Sequence, residues 1–361
     1  MRILVGISGG VDSAVSAYLL KQAGHDVVGG FMLNYLDESN PHCTTKQDLE
    51  SFHRVCQFLH IPFEILDFRD DYEHKILTMM VESYRQGKTP NPDVYCNSEV
   101  KFKLFLEEAL ILGYDHIATG HYAQIISDNT SGNILYKLIR GTDPTKDQSY
   151  FLAGLNQFQL AHTLFPIGSM LKSHVRQLAH EIGLPNADRK DSQGLCFVGK
   201  ISMSEFLQSR LGAQPGAIVL EDGTVVGTHQ GVYQYTIGQR KHIGLHNQYY
   251  VIGINSGTNT LIVSANPDHT DLWCHEVHCR VFHRIADIVP FAHHTSMRCW
   301  CKLRYRSALQ SCIISWGLDN TLIIRCDTHQ KGIPIGQICV LYGGPEGQEI
   351  LGSGEITRRG G

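Results

Sequence analysis

The first strand and the first helix predicted from the chain are joined by the sequence Gly6-Ile7-Ser8-Gly9-Gly10-Val11-Asp12-Ser13. Before it, Ile3-Leu4-Val5 predicts a short buried strand, and after it apolar residues at helical spacing predict a helix that ends at Gly24. Paired glycines let backbone N–H groups approach an anion, and the helix N-terminus adds free N–H groups and partial positive charge. The stretch therefore predicts a phosphate-binding strand–loop–helix unit, with a glycine turn capped by serine and aspartate as the alternative.

The side chains of this loop narrow its chemistry. The hydroxyls of Ser8 and Ser13 can donate to the same anion, and Asp12 beside phosphates is explained if it helps to hold a bridging cation, for which Mg²⁺ fits best. No Gly-Lys-Ser/Thr follows, so the loop is not a Walker A motif, and the glycine spacing excludes the dinucleotide fingerprint. The predicted ligand is therefore a phosphate group held by another type of loop.

Strands and helices alternate through the first half of the chain. Further strands are predicted at 26–33, 62–68 and 116–120, with helical patterns between them. This alternation predicts an α/β fold with a doubly wound parallel sheet, in which ligands bind beyond the carboxyl ends of the strands.

The pattern changes near residue 205, where short apolar runs separated by turn residues begin. These runs predict two small, mainly β domains, the last of them a β-barrel. We expect three domains with boundaries at 1–205, 206–270 and 271–361.

The composition is that of a globular protein: 361 residues, 42% of them apolar and 18% charged, with a net charge of −4. This charge excludes a polybasic nucleic-acid binder, so a nucleic-acid role needs a local basic surface. No membrane-spanning run and no signal peptide is predicted, so a cytoplasmic location is expected. In that compartment the 11 cysteines are not a disulfide scaffold, and most are expected to be small buried hydrophobes.

Two cysteines differ from the rest because they lie in polar, turn-rich segments. Cys96 ends the stretch Thr89-Pro90-Asn91-Pro92-Asp93-Val94-Tyr95-Cys96, whose prolines predict a rigid loop before a helix at 97–112. Cys196 lies in Asp191-Ser192-Gln193-Gly194-Leu195-Cys196-Phe197. A thiol at a helix N-terminus is activated by the dipole, whereas the alternative for both residues is an ordinary buried cysteine.

These segments together resemble two known groups of proteins. The loop at residues 8–13 is similar to the pyrophosphatase loop of N-type ATP pyrophosphatases. The segments around Cys96 and Cys196 resemble the N-P-D-x-x-C-N and D-S-x-G-[IL]-C-F motifs of the tRNA-specific 2-thiouridylases. Further stretches that resemble this family are Phe31-Met32-Leu33-Asn34, Ala118-Thr119-Gly120-His121-Tyr122, Lys146-Asp147-Gln148-Ser149-Tyr150-Phe151 and Tyr235-Thr236-Ile237-Gly238-Gln239-Arg240.

The resemblance implies a mechanism in which ATP, with Mg²⁺, adenylates O2 of the wobble uridine in tRNA for Lys, Glu and Gln, and a protein persulfide then supplies sulfur. It implies that Cys196 carries the persulfide, that Cys96 is the nucleophile, that the two form a transient disulfide and that Asp93 is the general acid/base. Asp93 as a plain turn residue is the alternative. The implied ATP site comprises Gly6, Ile7, Ser8, Gly9, Gly10, Val11, Asp12, Ser13, Met32 and Gly120.

The resemblance also implies which residues face the tRNA. Arg304 can pair with phosphate and Tyr305 can stack on an unpaired base, although a solvated basic strand edge is the alternative. Met32 and His121 have core packing as their alternative roles. The implied residues that contact the target base or tRNA are Asn91, Pro92, Asp93, His121, Lys146, Asp147, Gln148, Arg304, Tyr305 and Gln337.

Other functions and partners stay open at this stage. The main rival is a small-molecule ligase with the same type of loop, and a second is a non-catalytic tRNA-binding module. The expected partners are tRNA and a sulfur donor, which is either a cysteine desulfurase or a relay protein. The protein is expected to be a monomer and to have no contact with a membrane. A structural metal site is the alternative to scattered core residues for one cluster, but its spacing matches no zinc finger. The cluster comprises Cys274, His275, His278, Cys279, His293, His294, Cys299 and Cys301.

Overall fold

The computed structural model describes residues 1–38, 40, 43–129, 134–191, 202–286, 296–317 and 321–360, and Cys196 lies outside them. The first part of the chain contains, in order, β1 (Arg2–Gly6), α1 (Val11–Gln22), β2 (Asp26–Leu33), α2 (Thr45–Leu59), β3 (Phe63–Asp67), α3 (Arg69–Tyr72), α4 (Thr78–Arg85), α5 (Pro92–Tyr95), α6 (Phe105–Ile111), β4 (His116–Thr119), β5 (Ala123–Asp128), β6 (Leu135–Arg140), α7 (Gln157–Ala161), β7 (Thr163–Leu164), α8 (Lys172–Glu181) and α9 (Met203–Leu211). Wider, π-helical stretches join α3 to α4 at Glu73–Leu77 and α5 to α6 at Cys96–Leu104.

Five parallel strands form the sheet of the first part, in the order β3-β2-β1-β4-β7. Strand β1 is central, and its side chains alternate between two cores: Ile3 and Val5 pack with α1 and α2, whereas Leu4 packs on the opposite face. Strands β2 and β3 lie on one side of β1, and β4 and β7 lie on the other, so the strand order reverses between β1 and β4. In such a sheet the crevice for a ligand opens at the carboxyl ends of these two strands. The predicted doubly wound parallel sheet is confirmed.

The helix that carries Cys96 begins earlier than the sequence predicted. We expected a loop as far as Cys96, but the helix starts at Pro92, with Asn91 as its N-cap residue. Proline at the first helical position is tolerated because its missing N–H has no partner within the helix there. The helical run continues through the π-helical stretch into α6, so Cys96 lies on a helix instead of in a loop.

The second part of the chain is mainly β, as predicted. Strands β8 (Gly216–Val219), β9 (Val225–His229), β10 (Tyr250–Asn255) and β11 (Thr260–Ser264) form a four-stranded sheet in the order β10-β11-β8-β9. The last six strands are β12 (Trp273–Arg284), β13 (Met297–Lys302), β14 (Gln310–Trp316), β15 (Leu322–Lys331), β16 (Ile338–Gly343) and β17 (Glu349–Gly360). They run in the order β12-β15-β14-β13-β16-β17, and pairing of β12 with β17 closes the barrel.

The barrel is fused to the first part by a hairpin that the sequence analysis did not predict. Strands β5 and β6 pair with each other, and β6 then pairs with β17 through Ile139 and Leu138. Further bonds cross the same boundary: the Tyr150 hydroxyl donates to the Ile338 carbonyl at 2.6 Å, and the Ser353 hydroxyl donates to the Ala153 carbonyl at 3.0 Å. Hydrogen bonds therefore tie the barrel to the first part of the chain at these three places.

Cysteines fill much of the barrel interior. The Sγ atoms of Cys299 and Cys312 lie 3.6 Å apart, as do those of Cys301 and Cys326. In the described ranges, no group of three or more His, Cys, Asp or Glu side chains could hold a metal ion. His293 and His294 of the cluster considered above lie outside those ranges. The buried barrel cysteines are Cys274, Cys279, Cys299, Cys301, Cys312, Cys326 and Cys339.

None of the described helices combines the length and the apolar character needed to cross a membrane.

The barrel thiols generate a stability prediction. Cys301 is 0% exposed among apolar side chains, so Cys301→Ser should lower the free energy of unfolding by about 1–3 kcal/mol, since the hydroxyl loses water and gains only weak sulfur partners. Cys43 is only partly buried and bonds the Thr45 hydroxyl, so Cys43→Ser should change the stability by less than about 0.5 kcal/mol. Urea unfolding followed by fluorescence measures both, and equal effects would contradict this account of the barrel.

Candidate active site

The predicted phosphate loop is shaped to present backbone N–H groups. It joins β1 to α1, and the N-cap residue of α1 is Gly10, which has no side chain to cap the helix. The loop is also held internally, because the Ser8 N–H donates to Ser13 Oγ at 3.2 Å and Ser13 Oγ donates to the Gly10 carbonyl at 3.2 Å. An anion at this end of α1 therefore meets a preformed N-terminus.

The orientation of the loop is fixed by the carbonyl of Gly9. It accepts hydrogen bonds from Ser51 Oγ at 2.8 Å, Asn186 Nδ2 at 2.9 Å and Arg189 Nη1 at 3.1 Å. Because a trans peptide points its C=O and N–H in opposite directions, the N–H of Gly10 faces away from these donors. Gly9 has a φ of +76°, and a Cβ there would lie 2.7 Å from the Asp48 carbonyl oxygen, so glycine is required.

Two other residues predicted for the ATP site lie against this loop. Gly120 follows β4, and a Cβ on it would lie 2.6 Å from the Ser13 nitrogen and 2.7 Å from the Asp12 carbonyl carbon. Met32 is near the end of β2, and its Cε would be 3.1 Å from a Cβ placed on Gly6. The structure thus brings Gly6 to Ser13, Met32 and Gly120 together at the carboxyl edge of the sheet.

The carboxylate of Asp12 is already paired with a cation from the protein. Lys172 Nζ lies 2.7 Å from Asp12 Oδ1 and 2.8 Å from Oδ2, and the Tyr122 hydroxyl donates to Oδ1 at 2.8 Å. Burial, and then the neighbouring Asp12 charge, raises the pKa of Tyr122, which keeps the hydroxyl protonated as a donor. Lys172 thus offers a second explanation, beside Mg²⁺, for an acidic residue in a phosphate loop.

Lys172 was missed by the sequence analysis. It is the first residue of α8, and its side chain is only 10% exposed. A lysine is unfavourable at a helix N-terminus, where the dipole is positive, so this position was the available signal that the residue serves another purpose.

Lys172 also connects the loop to the segment that precedes Cys196. Asp191 Oδ1 lies 2.8 Å from Lys172 Nζ and 2.7 Å from Arg176 Nη2, and Asp191 Oδ2 lies 2.7 Å from Lys146 Nζ. Burial opposes the charge on Asp191, but the bonds from Lys146 and Lys172 outweigh it and lower its pKa to about 2. Asp191 is therefore an anion at every pH at which the protein is expected to work.

The helix that carries Cys96 is held from both sides. Asn97 Nδ2 donates to the Phe151 carbonyl at 3.0 Å, which ties the helix to the segment after the Lys146-Asp147-Gln148 turn. Before the helix, Gln337 Nε2 donates to the Thr89 carbonyl at 2.9 Å, so the barrel fixes the loop that leads to Asn91, Pro92 and Asp93. Cys96 itself is 0% exposed. Its expected partner, Cys196, lies outside the described residues.

Residues predicted to contact tRNA gather around one turn. Within it, Asp147 accepts from Arg140 Nε at 2.9 Å and is buried, and Gln148 Oε1 accepts from the Tyr122 N–H at 3.1 Å, so both side chains bond within the protein. The Lys146 side chain is 39% exposed. From the barrel, the Tyr305 hydroxyl donates to the Asp147 carbonyl at 3.2 Å.

The remaining candidates also have partners inside the protein. Arg304 Nη2 donates to the Lys331 carbonyl at 2.9 Å, and burial lowers the pKa of Arg304. His121 Nδ1 lies 2.7 Å from Thr119 Oγ1, and its ring packs between Phe102 and Phe165. Burial, with a smaller contribution from Lys101, holds the pKa of His121 well below its usual range, which favours the packing role for this histidine.

The fold and this site define a nucleotide-binding α/β domain followed by two small β units. Family models match all three parts: "tRNA methyl transferase HUP domain" matches residues 1–200, "tRNA methyl transferase PRC-barrel domain" matches 204–265 and "Aminomethyltransferase beta-barrel domain" matches 277–356. The chain is 42% identical to the tRNA-specific 2-thiouridylase MnmA of Nitrosomonas eutropha, over 99% of this chain and 98% of that one.

Other relatives match over a similar length. The tRNA-specific 2-thiouridylase MnmA of Ligilactobacillus salivarius is 41% identical, over 99% of this chain and 95% of its own. That of Ralstonia pickettii is 42% identical, over 99% of this chain and 96% of its own. The chain therefore belongs to the tRNA-specific 2-thiouridylase family.

The close approach of Gly120 to the loop generates a binding prediction. Gly120→Ala should weaken ATP binding about 10-fold or more, because a methyl group there displaces the backbone of Asp12 and Ser13, and such overpacking costs roughly 1–3 kcal/mol. Gly257→Ala is the control, because a Cβ at Gly257 makes only an ordinary contact of 3.5 Å with Asn255. Isothermal titration calorimetry with ATP and Mg²⁺ measures both, and unchanged affinity in Gly120→Ala would show that this strand end does not shape the site.

Proposed function

We propose that the chain uses ATP to activate O2 of a uridine in tRNA and replaces that oxygen with sulfur. The observation that carries this proposal is the full-length likeness to relatives named tRNA-specific 2-thiouridylase, at 42% identity for the Nitrosomonas eutropha protein. The proposal is supported by the loop between β1 and α1, which offers an uncapped helix N-terminus to a phosphate. Its location is proposed to be the cytoplasm, where tRNA is found.

The reaction proposed here has two stages. In the first, O2 of the uridine attacks the α-phosphate of ATP, pyrophosphate leaves, and the base carries AMP through its oxygen. In the second, the terminal sulfur of a persulfide on Cys196 attacks C2 of the base, and AMP leaves with the oxygen. Cys96 attacks the remaining Cys196 sulfur, which yields a Cys96–Cys196 disulfide and leaves the transferred sulfur on the base. A thiol reductant must then reduce the disulfide before the next turnover.

The residues of the phosphate loop, with Met32 and Gly120, are proposed to bind ATP. Mg²⁺, when bound with ATP, neutralises phosphate charge during departure of pyrophosphate. Asp12 is the residue of the loop that would face this cation, and it would then share its carboxylate between the metal and Lys172. Asp93, in the first turn of α5, is proposed as the general acid/base that transfers protons to and from the target uridine.

The tRNA surface is proposed to centre on the Lys146-Asp147-Gln148 turn and the Arg304-Tyr305 pair. Lys146 and Arg304 supply positive charge, and Tyr305 supplies an aromatic face. Asp147, Gln148 and Gln337 are proposed to act by shaping this surface, because their side chains bond within the protein. Asn91 and Pro92 would face the target base beside Asp93, and His121 would support that pocket.

Several finer points belong to the same proposal. The expected isoacceptors are those for Lys, Glu and Gln, modified at the wobble uridine, and the sulfur donor is a cysteine desulfurase or a relay protein. We propose a monomer with domain boundaries at 1–205, 206–270 and 271–361.

A methyl-transfer reaction, which the descriptions of two family models name, is the second candidate. The two products differ in mass, so mass spectrometry of tRNA nucleosides distinguishes a sulfur-for-oxygen exchange from an added methyl group.

The cysteine roles generate a kinetic prediction. With ATP, tRNA and a persulfide-forming sulfur donor, Cys96→Ser and Cys196→Ser should each abolish formation of 2-thiouridine while tRNA-dependent release of pyrophosphate continues, because adenylation needs neither thiol. Cys43→Ser should behave as the unmodified protein, because Cys43 lies outside the proposed site. A pyrophosphate assay measures the first stage and liquid chromatography of the nucleosides measures the second, and full thiolation by either variant would contradict the mechanism.

The role of Tyr305 generates a prediction about tRNA affinity. Removing the ring in Tyr305→Ala should weaken tRNA binding about 5-fold or more, since stacking contributes roughly 1–3 kcal/mol per base. Tyr305→Phe keeps the ring, which packs 4.2 Å from Phe151, and loses only the bond to the Asp147 carbonyl, so it should bind tRNA more tightly than the alanine variant. Filter binding at fixed salt tests this order, and equal affinities of the two variants would rule out stacking.

A further inference from the structure

Four charged side chains form an unbroken chain from the phosphate loop to the proposed tRNA turn. Asp12 in the loop lies 2.7 Å from Lys172, Lys172 lies 2.8 Å from Asp191, and Asp191 lies 2.7 Å from Lys146. The charges alternate in sign along this chain, so a change at one end alters the partner that each member prefers. Lys146 is the end that solvent and a tRNA phosphate can reach, because its side chain is 39% exposed.

A second connection joins the same two places. The hydroxyl of Tyr122 donates to Asp12, while its backbone exchanges hydrogen bonds with Gln148: the Tyr122 N–H donates to Gln148 Oε1 at 3.1 Å, and the Gln148 N–H donates to the Tyr122 carbonyl at 3.0 Å. Tyr122 is buried, so this connection is stiff. It holds the turn at a fixed position relative to the loop while the charged side chains rearrange.

Lys172 is the member of this chain of charges that contacts both carboxylates, Asp12 and Asp191. Its ammonium group has three N–H donors, and it contacts both oxygens of Asp12 and one oxygen of Asp191. With a side chain only 10% exposed, it has little water to replace a lost partner. A stronger interaction of Lys172 with Asp191 therefore requires a weaker interaction with Asp12.

We propose that Lys172 couples the binding of tRNA to the binding of ATP. The inference rests on the function proposed above. A tRNA phosphate that captures Lys146 removes one cation from Asp191, and Lys172 moves its charge toward Asp191 in response. Asp12 is then released to accept the divalent cation that accompanies the triphosphate. Bound tRNA thus raises the affinity for ATP with Mg²⁺, and by thermodynamic reciprocity ATP raises the affinity for tRNA by the same factor.

Arg176 provides a matched control because it shares with Lys172 the contact with Asp191 but not the contact with Asp12. It lies 2.7 Å from Asp191 but bonds the carbonyls of Ala187 and Arg189 instead of Asp12. Removing Arg176 takes one cation from Asp191 and two hydrogen bonds from the segment that holds the Gly9 carbonyl, but it leaves the contacts between Lys172 and Asp12 in place. A variant of Arg176 therefore reports what loss of a cation beside Asp191 does when the bridge to Asp12 is intact.

The experiment measures nucleotide affinity with and without tRNA. The probe is the α,β-methylene analogue of ATP with Mg²⁺, whose bridging carbon prevents cleavage, and calorimetry gives its Kd on the full-length protein. For the unmodified protein, saturating tRNA should lower this Kd about 5-fold or more, the lower end of typical coupling between sites. In Lys172→Met the Kd should not respond to tRNA, and Lys172→Arg should restore part of the response. Arg176→Met leaves Lys146 and the Lys172 bridge in place, so it should still respond to tRNA, but from a lower starting Kd because Asp191 has already lost one cation.

Lys146→Met gives a sharper test because its effect has the opposite sign. Loss of the Lys146 charge imitates its capture by a phosphate, so this variant should bind the analogue more tightly than the unmodified protein when tRNA is absent, and tRNA should add little further gain. A residue with a purely structural role would weaken nucleotide binding when removed. Circular dichroism confirms that each variant is folded, and Lys172→Arg with Lys146→Met decides the question if Lys172→Met does not fold.

The outcomes separate this inference from the function on which it rests. Failure of the unmodified protein to bind tRNA or the analogue would overturn the proposed function and this inference with it. Binding of both without any mutual effect would overturn the coupling alone. Full coupling in Lys172→Met, or weaker analogue binding in Lys146→Met, would overturn the assignment to this network.

Discussion

The inward orientation of the Gly9 carbonyl is the constraint on which the site depends. Three donors from α2 and from the segment before Asp191 hold this one oxygen, so the turn cannot rotate and the next N–H faces the crevice. Helix α1 begins directly after this turn, Gly120 lies against its first residues, and Asp12 on it accepts from the Tyr122 hydroxyl. The loop is therefore set by the surrounding protein before a ligand arrives, which limits the entropy lost on binding.

The barrel completes the site from the other side of the chain. Its residues fix the loop before the Cys96 helix through Gln337 and cover the Lys146-Asp147-Gln148 turn through Tyr305. These contacts give the barrel a role in positioning residues that the parallel sheet alone would leave on unsupported loops. A tRNA held between the barrel and the sheet would meet both proposed groups of contact residues at one surface.

The sequence predicted the parts of the molecule whose chemistry is local. The first strand–loop–helix unit and the parallel sheet follow from short-range pattern, and both are confirmed in the fold. The start of the Cys96 helix was predicted wrongly because Pro92 was treated as a helix breaker, although it occupies the first helical position. The pairing of Lys172 with Asp12 could not be predicted, because an ion pair between residues 160 positions apart leaves no periodic signal.

The pairing of β6 with β17 has a consequence for how the molecule is made. The hairpin β5–β6 leaves the ribosome long before β17 is synthesised, because about 200 residues separate β6 from β17. Until then the hydrogen-bonding edge of β6 has no partner from the barrel, and an uncovered strand edge invites association with other nascent chains. Completion of the N-terminal half therefore waits for the synthesis of β17, so a chain that terminates before β17 leaves this edge available to chaperones and proteases.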